Sequence, residues 1–320
     1  MARTAARLAV WAVLSGACAG GGDAPGEGDA APPAAPFRSA LIGDPAPPSE
    51  PFRLTLLSPG TAPRRDLRYR VATGAHERTR FAISNEVEVF VAGRRINRVA
   101  PPTTEVAFEV EVASRPGGYR CTAWITDTAS SDWERMAPGR GSELRDSLEQ
   151  LKGHHITFEV DDRGHPVSDD ITLPESVESN RAEALQILQG VDGLVVPFPT
   201  EPIGVGAVWT VVDLEAGRSS LAGGVLLTYS LVAVRGDKLE LSMSLSLPHE
   251  PAPLSFAGKE IAGYGGAATS GELRIGVELG HLLSDTAGDL SVEIEGRTFS
   301  GVEELPFKVH QTIRQHMESR

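Results

Sequence analysis

Apolar and polar residues alternate with a period of two through most of the chain after residue 51, and this alternation restricts the fold more than any other feature. Successive side chains of a β-strand point to opposite faces, so the alternation predicts strands with one buried face and one wet face. Antiparallel sheets commonly have this pattern. It is clearest in residues 86–91, 105–112, 239–247 and 272–279.

Turn-forming residues separate these stretches, which predicts hairpins rather than parallel crossovers between strands. The turns fall at 115–118 (Arg-Pro-Gly-Gly), 161–164 (Asp-Asp-Arg-Gly) and 235–238 (Arg-Gly-Asp-Lys). The stretch 225–234 is apolar on both faces, and we expect it to be a central strand covered on both sides. No repeat with a period of 20–50 residues emerges, which disfavours a propeller or a solenoid.

Two segments have the apolar spacing of amphipathic helices. Residues 142–152 carry three leucines at helical spacing and end before Gly153. Residues 175–189 follow a capping box and end before Gly190. Over residues 52–320 the sequence therefore predicts one mainly β domain, a large, curved, half-barrel-like antiparallel sheet with two amphipathic helices packed on it.

The first 17 residues have the layout of a secretory signal peptide. Arg3 and Arg7 form the positive region, residues 8–14 form a short apolar region, and small residues precede Cys18. A cysteine after small residues resembles the processing box of bacterial lipoproteins, with Ser15 standing here where leucine is usual. The resemblance implies that Cys18 becomes the mature N-terminus and carries the lipid. The alternative is ordinary signal cleavage, in which Cys18 has no role.

Residues 18–51 combine this lipid-attachment cysteine with a tether. Of the 33 positions from 19 to 51, 22 are Gly, Pro or Ala. We expect a disordered linker with a root-mean-square span of roughly 30 Å. The arrangement predicts an exported protein of the cell envelope, lipid-anchored at the periplasmic face or the outer membrane. Ala19 is not the acidic residue that retains some lipoproteins at the inner membrane.

The net charge excludes one class of partner. Removal of Arg3 and Arg7 leaves 28 basic residues against 43 acidic ones, a formal charge of −15. Nucleic-acid binding depends largely on neutralising phosphates, so we expect no nucleic-acid partner.

One region reverses the acidic balance. Residues 61–98 hold nine arginines against four acidic residues. Such a surface attracts anionic lipid head groups or an acidic protein. The alternative is an ordinary solvated sheet face. The candidate face for an anionic partner consists of Arg68, Arg70, Arg78 and Arg80.

Residues 199–209 read Pro-x-x-Pro-x-x-x-Gly-x-x-Trp. This resembles a short signature in a family of uncharacterised bacterial envelope lipoproteins. Residues 156–164 and 271–280 are similar to a strand with an acidic turn and to a late hairpin of the same family. More broadly, the chain resembles lipoprotein carriers of the LolA and LppX kind, whose curved antiparallel sheets with inserted helices hold acyl chains. The resemblance implies an apolar ligand between sheet and helices.

Residue types that support catalysis or metal binding are present without a recognisable motif. His154, His155 and His165 flank one predicted hairpin with Asp161. Adjacent strand residues point to opposite faces, so the histidine pair does not converge on one ion. Asp161 and its acidic neighbour read as solvated turn residues, and Cys121 reads as a small buried residue of a strand. We therefore predict no catalytic residue, no metal and no cofactor.

Three functions differ in how they use this fold. The first is a non-catalytic lipoprotein that binds a lipid or other apolar ligand in a cavity between sheet and helices. The second is a structural or protein-interaction lipoprotein of the cell envelope, with a solid core and no small ligand. The third is a hydrolase built from acids and histidines that are distant in sequence, which no motif supports.

Overall fold

The computed structural model describes residues 52–100, 103–131, 146, 149–170, 195–213, 225–246, 254–256, 259–261, 264–300 and 303–320. These residues are mainly β-strand, as the alternation predicted. The strands are β1 (Phe52–Pro59), β2 (Ala75–Val91), β3 (Arg94–Val99), β4 (Thr104–Arg115), β5 (Gly118–Ser130), β6 (His155–Asp161), β7 (Pro166–Asp170), β8 (Ala207–Asp213), β9 (Val225–Arg235), β10 (Lys238–Ser246), β11 (Leu254–Phe256), β12 (Lys259–Ile261), β13 (Tyr264–Glu278), β14 (Asp285–Ser300) and β15 (Glu303–Ser319).

Thirteen of these strands form one large sheet that is not closed, and β11 pairs with β12 separately. The order across the sheet is β1-β8-β9-β10-β13-β14-β15-β2-β4-β5-β6-β7, and β3 pairs with the second half of β2. The pairing is antiparallel throughout, which confirms the predicted sheet type. The predicted turns join β4 to β5, β6 to β7 and β9 to β10.

The alternation in the sequence becomes an alternation in burial. On β4 the buried residues are Val106, Phe108, Val110 and Val112, and the exposed Glu111 lies between the last two. The other long strands follow the same rule, with one face turned inward and the other toward water. The buried apolar side chains form one core.

The sheet curls until its two edges approach each other at one end. A flat sheet of twelve strands separates β1 from β7 by roughly 50 Å, because neighbouring strands lie about 4.8 Å apart. Yet the backbone of Arg65 pairs with that of Ile203, just before β8, while the N–H of Tyr69 donates to the carbonyl of Asp162 in the β6–β7 turn. Four residues of extended chain span at most about 14 Å. The neighbourhoods of both edges therefore lie within this short distance.

The two ends of the curled sheet differ. The closed end, as we call it, holds the three predicted turns, the starts of β2 and β8, and the connection from β13 to β14. The opposite end, which we call the far end, is where β1 begins and where β5, β7, β8 and β10 finish. The residues before Phe52 therefore join the sheet at the far end.

The prediction that residues 225–234 form a central strand covered on both sides is wrong. They belong to β9, which is third from the β1 edge, and Val232 is 54% exposed. Leu231 pairs with Leu241 while Ala233 pairs with the adjacent Glu240, so Val232 is the extra residue of a β-bulge. A bulge shifts the alternation by one residue, so Val234 packs against the core on the same face as Leu231.

The two predicted helices fall largely outside the described residues. Residues 175–189 lie entirely outside them, and residues 142–152 mostly so. Within residues 142–152, Leu151 is buried. Gly153, which follows this segment, has a φ of 80°, a value typical of the residue that follows a helix. In the ranges that the structure describes, no helix is long and apolar enough to cross a membrane.

A close backbone contact joins the end of β1 to the start of β8. The N–H of Thr61 donates to the carbonyl of Val205 at 2.8 Å. A Cβ on Gly204 would lie 1.9 Å from the carbonyl oxygen of Thr61, and one on Gly60 would lie 2.2 Å from the carbonyl oxygen of Gly204. Both positions therefore require glycine.

We expect Gly204→Ala to lower the free energy of unfolding by about 3 kcal/mol, because the backbone at Thr61 has to move away from the new methyl group. Gly280→Ala is the matched control, since nothing lies within 4 Å of the Cβ position of Gly280. Urea unfolding of both variants and the parent chain measures the difference. Equal stability of the two variants would contradict this reading of the contact.

Candidate functional site

The inner face of the curled sheet is an apolar surface that runs from the closed end toward the far end. On β14 and β15, Leu290 pairs with Ile313 and Ile294 pairs with Val309, and all four are at most 6% exposed. Inward side chains of β2, β4, β5, β6, β8, β9, β10 and β13 continue the same surface. A face of this size is the main candidate for contact with an apolar ligand.

Three segments outside the strands pack on the inner face at the closed end. These inner segments are residues 61–74, 195–206 and 279–284. Their apolar side chains belong to the same core as those of the strands. The members are Leu67, Tyr69, Val71, Val195, Val196, Phe198, Ile203, Leu279, Leu282 and Leu283.

Two tyrosine hydroxyls hold the inner segments in place. The hydroxyl of Tyr69 donates to the carbonyl of Val196 and accepts the N–H of the same residue, both at 3.1 Å. The hydroxyl of Tyr119 on β5 donates to the carbonyl of Tyr69 at 2.9 Å and accepts the N–H of Val71 at 3.1 Å. Burial raises the pKa of Tyr69, so its hydroxyl stays neutral and acts as donor and acceptor.

An aromatic row extends from Tyr69 to Tyr229 on β9. Ring centroids lie 5.3 Å apart for Tyr69 and Phe198, 6.4 Å for Phe198 and Trp209, and 5.5 Å for Trp209 and Tyr229. The indole N–H of Trp209 donates to the carbonyl of Pro197 at 2.9 Å. These distances are typical of packed aromatic pairs. The row joins the second inner segment to the sheet.

The Pro-x-x-Pro-x-x-x-Gly-x-x-Trp signature lies at this join. Its glycine, Gly206, has a φ of 83°, which favours glycine, and its tryptophan, Trp209, is completely buried. The N–H of Gly206 donates to the carbonyl of Leu231 on β9 at 2.8 Å. The signature therefore describes how the chain turns into β8 and anchors the core.

A buried carboxylate fastens the third inner segment. Glu77 on β2 is 1% exposed and accepts the N–H groups of Leu282 at 2.8 Å and Leu283 at 2.9 Å. Burial raises the pKa of Glu77 above its ordinary value, although the two N–H groups and His281 oppose this effect. The carboxylate thus supplies partners to backbone donors in the core. No sequence pattern marked Glu77 for this role.

A group of charged side chains surrounds the β6–β7 turn, and we call it the turn cluster. Arg163 is only 7% exposed, lies 2.6 Å from a carboxylate oxygen of Asp66 and donates to the carbonyl of Pro199 at 2.7 Å. Arg68 forms ion pairs with Asp66, at 2.9 Å, and with Asp162. The turn cluster consists of Asp66, Arg68, Asp161, Asp162, Arg163 and His165.

His165 links the turn to the second inner segment. Its Nδ1 lies 3.1 Å from a carboxylate oxygen of Asp161, and its Nε2 lies 2.6 Å from the carbonyl oxygen of Phe198. A ring that donates on both sides is an imidazolium. Burial lowers the pKa of His165, but the hydrogen bonds and the charge of Asp161 outweigh burial, and the pKa is raised overall. The same contact holds the pKa of Asp161 below its ordinary value against the effect of burial.

The turn cluster is a structural linkage. Both ring nitrogens of His165 have hydrogen-bond partners, and Arg163 is held by Asp66 and a backbone carbonyl. The expectation that Asp161 is merely solvated is wrong, because its carboxylate also accepts the N–H groups of Arg163 and His165 at 2.8 Å. Within the described part of the chain, no three His, Cys, Asp or Glu side chains are grouped to hold a metal ion.

The structure divides the predicted arginine face. Arg78 and Arg80 point outward from β2, toward Glu109 at 3.5 Å and Glu105 at 4.0 Å on β4. Farther along β2, Glu86 and Glu88 pair in the same way with arginines of β3. Carboxylates therefore accompany the arginines on this part of the outer face.

The other two arginines of the predicted face lie in the first inner segment. This segment is extended, with Leu67, Tyr69 and Val71 buried, but it is not a strand of the sheet. Arg68 belongs to the turn cluster, and Arg70 lies 3.8 Å from Asp237 in the β9–β10 turn. The four arginines thus come from two elements rather than from one.

The outer face has a groove where β9, β10, β13, β14 and β15 lie side by side. Two adjoining hollows, of about 760 and 350 Å³, share Glu240, Gly276 and Asp285. Gly276 and Ala287 form its floor and have no long side chains. We call this feature the outer groove. Sequence reasoning did not find it, because its residues come from strands whose neighbours are set by the sheet order.

Cys121 is a free, fully buried thiol on β5, as predicted. Burial raises its pKa, which disfavours the reactive thiolate. Cys18 lies outside the described residues.

No protein-family model matches the chain, and no curated protein matches it.

We expect His165→Gln to destabilise the protein more at pH 5.5 than at pH 8.5. A group with a raised folded-state pKa stabilises the fold fully below its unfolded-state pKa and loses this effect as the pH rises through the folded-state pKa. The loss at pH 5.5 should be about 1.5–3 kcal/mol, the usual contribution of hydrogen bonds to a charged group. Urea unfolding at both pH values measures it.

His76→Gln is the matched control, because His76 is exposed on β2. This substitution should change the midpoint of urea unfolding little at either pH. A loss for His165→Gln that is the same at both pH values would contradict the charged bridge.

Proposed function

We propose that this chain is a lipid-anchored, non-catalytic lipoprotein of the cell envelope that binds a lipid or other apolar ligand. The ligand occupies the inner face of a half-barrel-like sheet, beneath the two amphipathic helices that the sequence predicts at 142–152 and 175–189. The observation that carries this proposal is the apolar inner face, which extends beyond the inner segments toward the far end. Val89, Ile294 and Val309 are inward residues of that region.

The position of the tether supports the same proposal. β1 begins at the far end, so a tether attached through Cys18 enters the sheet at that end and lets it approach the membrane. The closed end is filled by the inner segments and bordered by the turn cluster. An apolar ligand that moves between membrane and protein therefore has its shortest route at the far end.

The second candidate is a structural or protein-interaction lipoprotein with no small ligand. It is favoured by the close packing of the inner face at the closed end, where every inner segment contributes to one core. On this alternative the far end is equally solid and the function lies on the outer face, where the outer groove and the arginines of β2 are found.

We expect the anchor at Cys18 to be visible as covalent lipid. Cells of a lipoprotein-processing bacterium that produce the chain and grow on an alkyne-bearing fatty acid should label it, and the N-terminal peptide should begin at Cys18 with the mass of a diacylglyceryl group and an acyl chain. Cys18→Ala should abolish labelling. Cys121→Ala should leave labelling unchanged, because that thiol is buried. Labelling of the Cys18→Ala variant would contradict lipid attachment at Cys18.

We expect the full chain, extracted from its membrane in a mild detergent, to carry lipid that is not covalently bound. Native mass spectrometry should show the mass of the anchored chain plus that of a lipid. Val309→Trp should reduce the lipid-bound fraction severalfold, because it adds volume to the inner face. Lys308→Trp is the matched control on the outer face, where Lys308 pairs with Glu295 at 3.4 Å.

Thermal unfolding of both tryptophan variants separates loss of ligand from loss of fold. A parent chain without lipid, both as extracted and after addition of oleic acid, would favour the second candidate.

A further inference from the structure

The outer groove is a depression in a face that is otherwise covered by side chains. Its floor forms where Gly276 on β13 pairs with Asp285 on β14, and where Ala287 pairs with the neighbouring Arg274. The side chain of Val232, displaced by the β-bulge, lies at the rim and is 54% exposed. The groove therefore offers backbone and one apolar side chain between charged walls.

Carboxylates outnumber cationic side chains on the walls of the larger hollow, although one of them, Glu240, also lies 3.4 Å from Arg235 on β9. The larger hollow is lined by four acidic side chains, against one arginine and one histidine. The acidic ones are Glu240, Glu272, Asp285 and Glu318, and the others are Arg274 and His316. Charge of this sign disfavours an anionic ligand and attracts a cationic one.

Asp285 is held in a fixed orientation. Its Oδ1 accepts the N–H of Ser319 at 2.7 Å. Its Oδ2 lies 3.9 Å from the position that a Cβ on Gly276 would take, so it borders the empty space above the floor. A carboxylate oriented by a backbone donor binds a cation with little further ordering.

A second carboxylate faces this one across the floor. Glu240 pairs with Gly276, and Gly276 pairs with Asp285, so the two acidic residues lie on either side of a residue with no side chain. Two strand spacings put their Cα atoms roughly 10 Å apart. A guanidinium inserted over Gly276 reaches both, since its planar fork donates in several directions. Arg274 lies in the next row and confines a cation to the row of Glu240 and Asp285.

We propose that the outer groove docks an extended, arginine-bearing segment of a partner protein in the cell envelope. The groove crosses five strands, about 20 Å, which is the length of roughly six extended residues. This length favours a peptide over a small cation, and Val232 offers contact to the aliphatic stem of an arginine. The proposal does not depend on a ligand at the inner face. For the second candidate function, a protein-interaction lipoprotein, the outer groove would be the surface that contacts the partner.

Fluorescence anisotropy tests the proposal with the full chain in dodecyl maltoside. The probe is a fluorescein-labelled nonapeptide of alternating Arg and Ser, and the comparison peptide alternates Glu and Ser. We expect saturable binding of the Arg peptide only, weakened at least fivefold by Asp285→Asn, which removes the charge and keeps an acceptor for Ser319.

Gly276→Leu should weaken binding to the same extent by filling the groove. The backbone at Gly276 tolerates a side chain, because the nearest atom to its Cβ position is the Asp285 Cβ at 3.6 Å. Glu111→Gln, on the outer face of β4, is the control for a general loss of negative charge and should leave binding unchanged.

Three outcomes would overturn the proposal. The first is no saturable binding of the Arg peptide. The second is equal weakening by Glu111→Gln and Asp285→Asn, which indicates attraction by the net charge alone. The third is displacement of the peptide by spermidine at lower concentration than by unlabelled peptide, which indicates a small polyamine ligand. Retained thermal stability of the variants excludes unfolding as the cause of weaker binding.

Discussion

Main-chain hydrogen bonds from residues 65–74 hold the sheet in its curled form, and the rest of the structure depends on them. The twist of the strands curls a sheet of this size but does not by itself fix where its two edges meet. Here one extended segment bonds to Ile203 beside one edge, to Asp162 at the other edge and, through Arg70, to Leu279 between them. The curl in turn makes one face of the sheet an interior.

Backbone that is buried without being part of a sheet needs partners, and this requirement explains the polar groups of the closed end. The hydroxyls of Tyr69 and Tyr119, the carboxylate of Glu77 and the guanidinium of Arg163 each bond to main-chain atoms of an inner segment. Each such bond satisfies a group that is costly to leave unpaired. The polar residues of the closed end are therefore part of the fold, and their burial alone does not mark an active site.

Sequence reasoning succeeded where the signal is local. Alternation and turn residues predicted the antiparallel sheet and the hairpins, because both depend on neighbours in the chain. The packing of the inner segments could not be predicted in this way, because their partners are distant in sequence. Glu77 and Leu282, for example, are separated by 205 positions. Residues 61–98 do contain an excess of arginine. Two of these arginines lie beside Glu105 and Glu109, however, and only the pairing of β2 with β4 brings those carboxylates next to them. The groove at Gly276 likewise depends on which strands are neighbours.

The period of two that shapes each strand also separates two kinds of surface. Inward residues such as Val309 meet only the core, whereas outward residues such as Lys308 meet only solvent and the charges of adjacent strands. A ligand of the inner face and a partner of the outer groove, as proposed, would therefore contact different residues of the same strands. Because one surface is apolar and the other charged, salt would weaken the proposed binding to the outer groove and leave the proposed apolar binding largely intact. Ionic strength thus distinguishes the two kinds of binding in a single preparation.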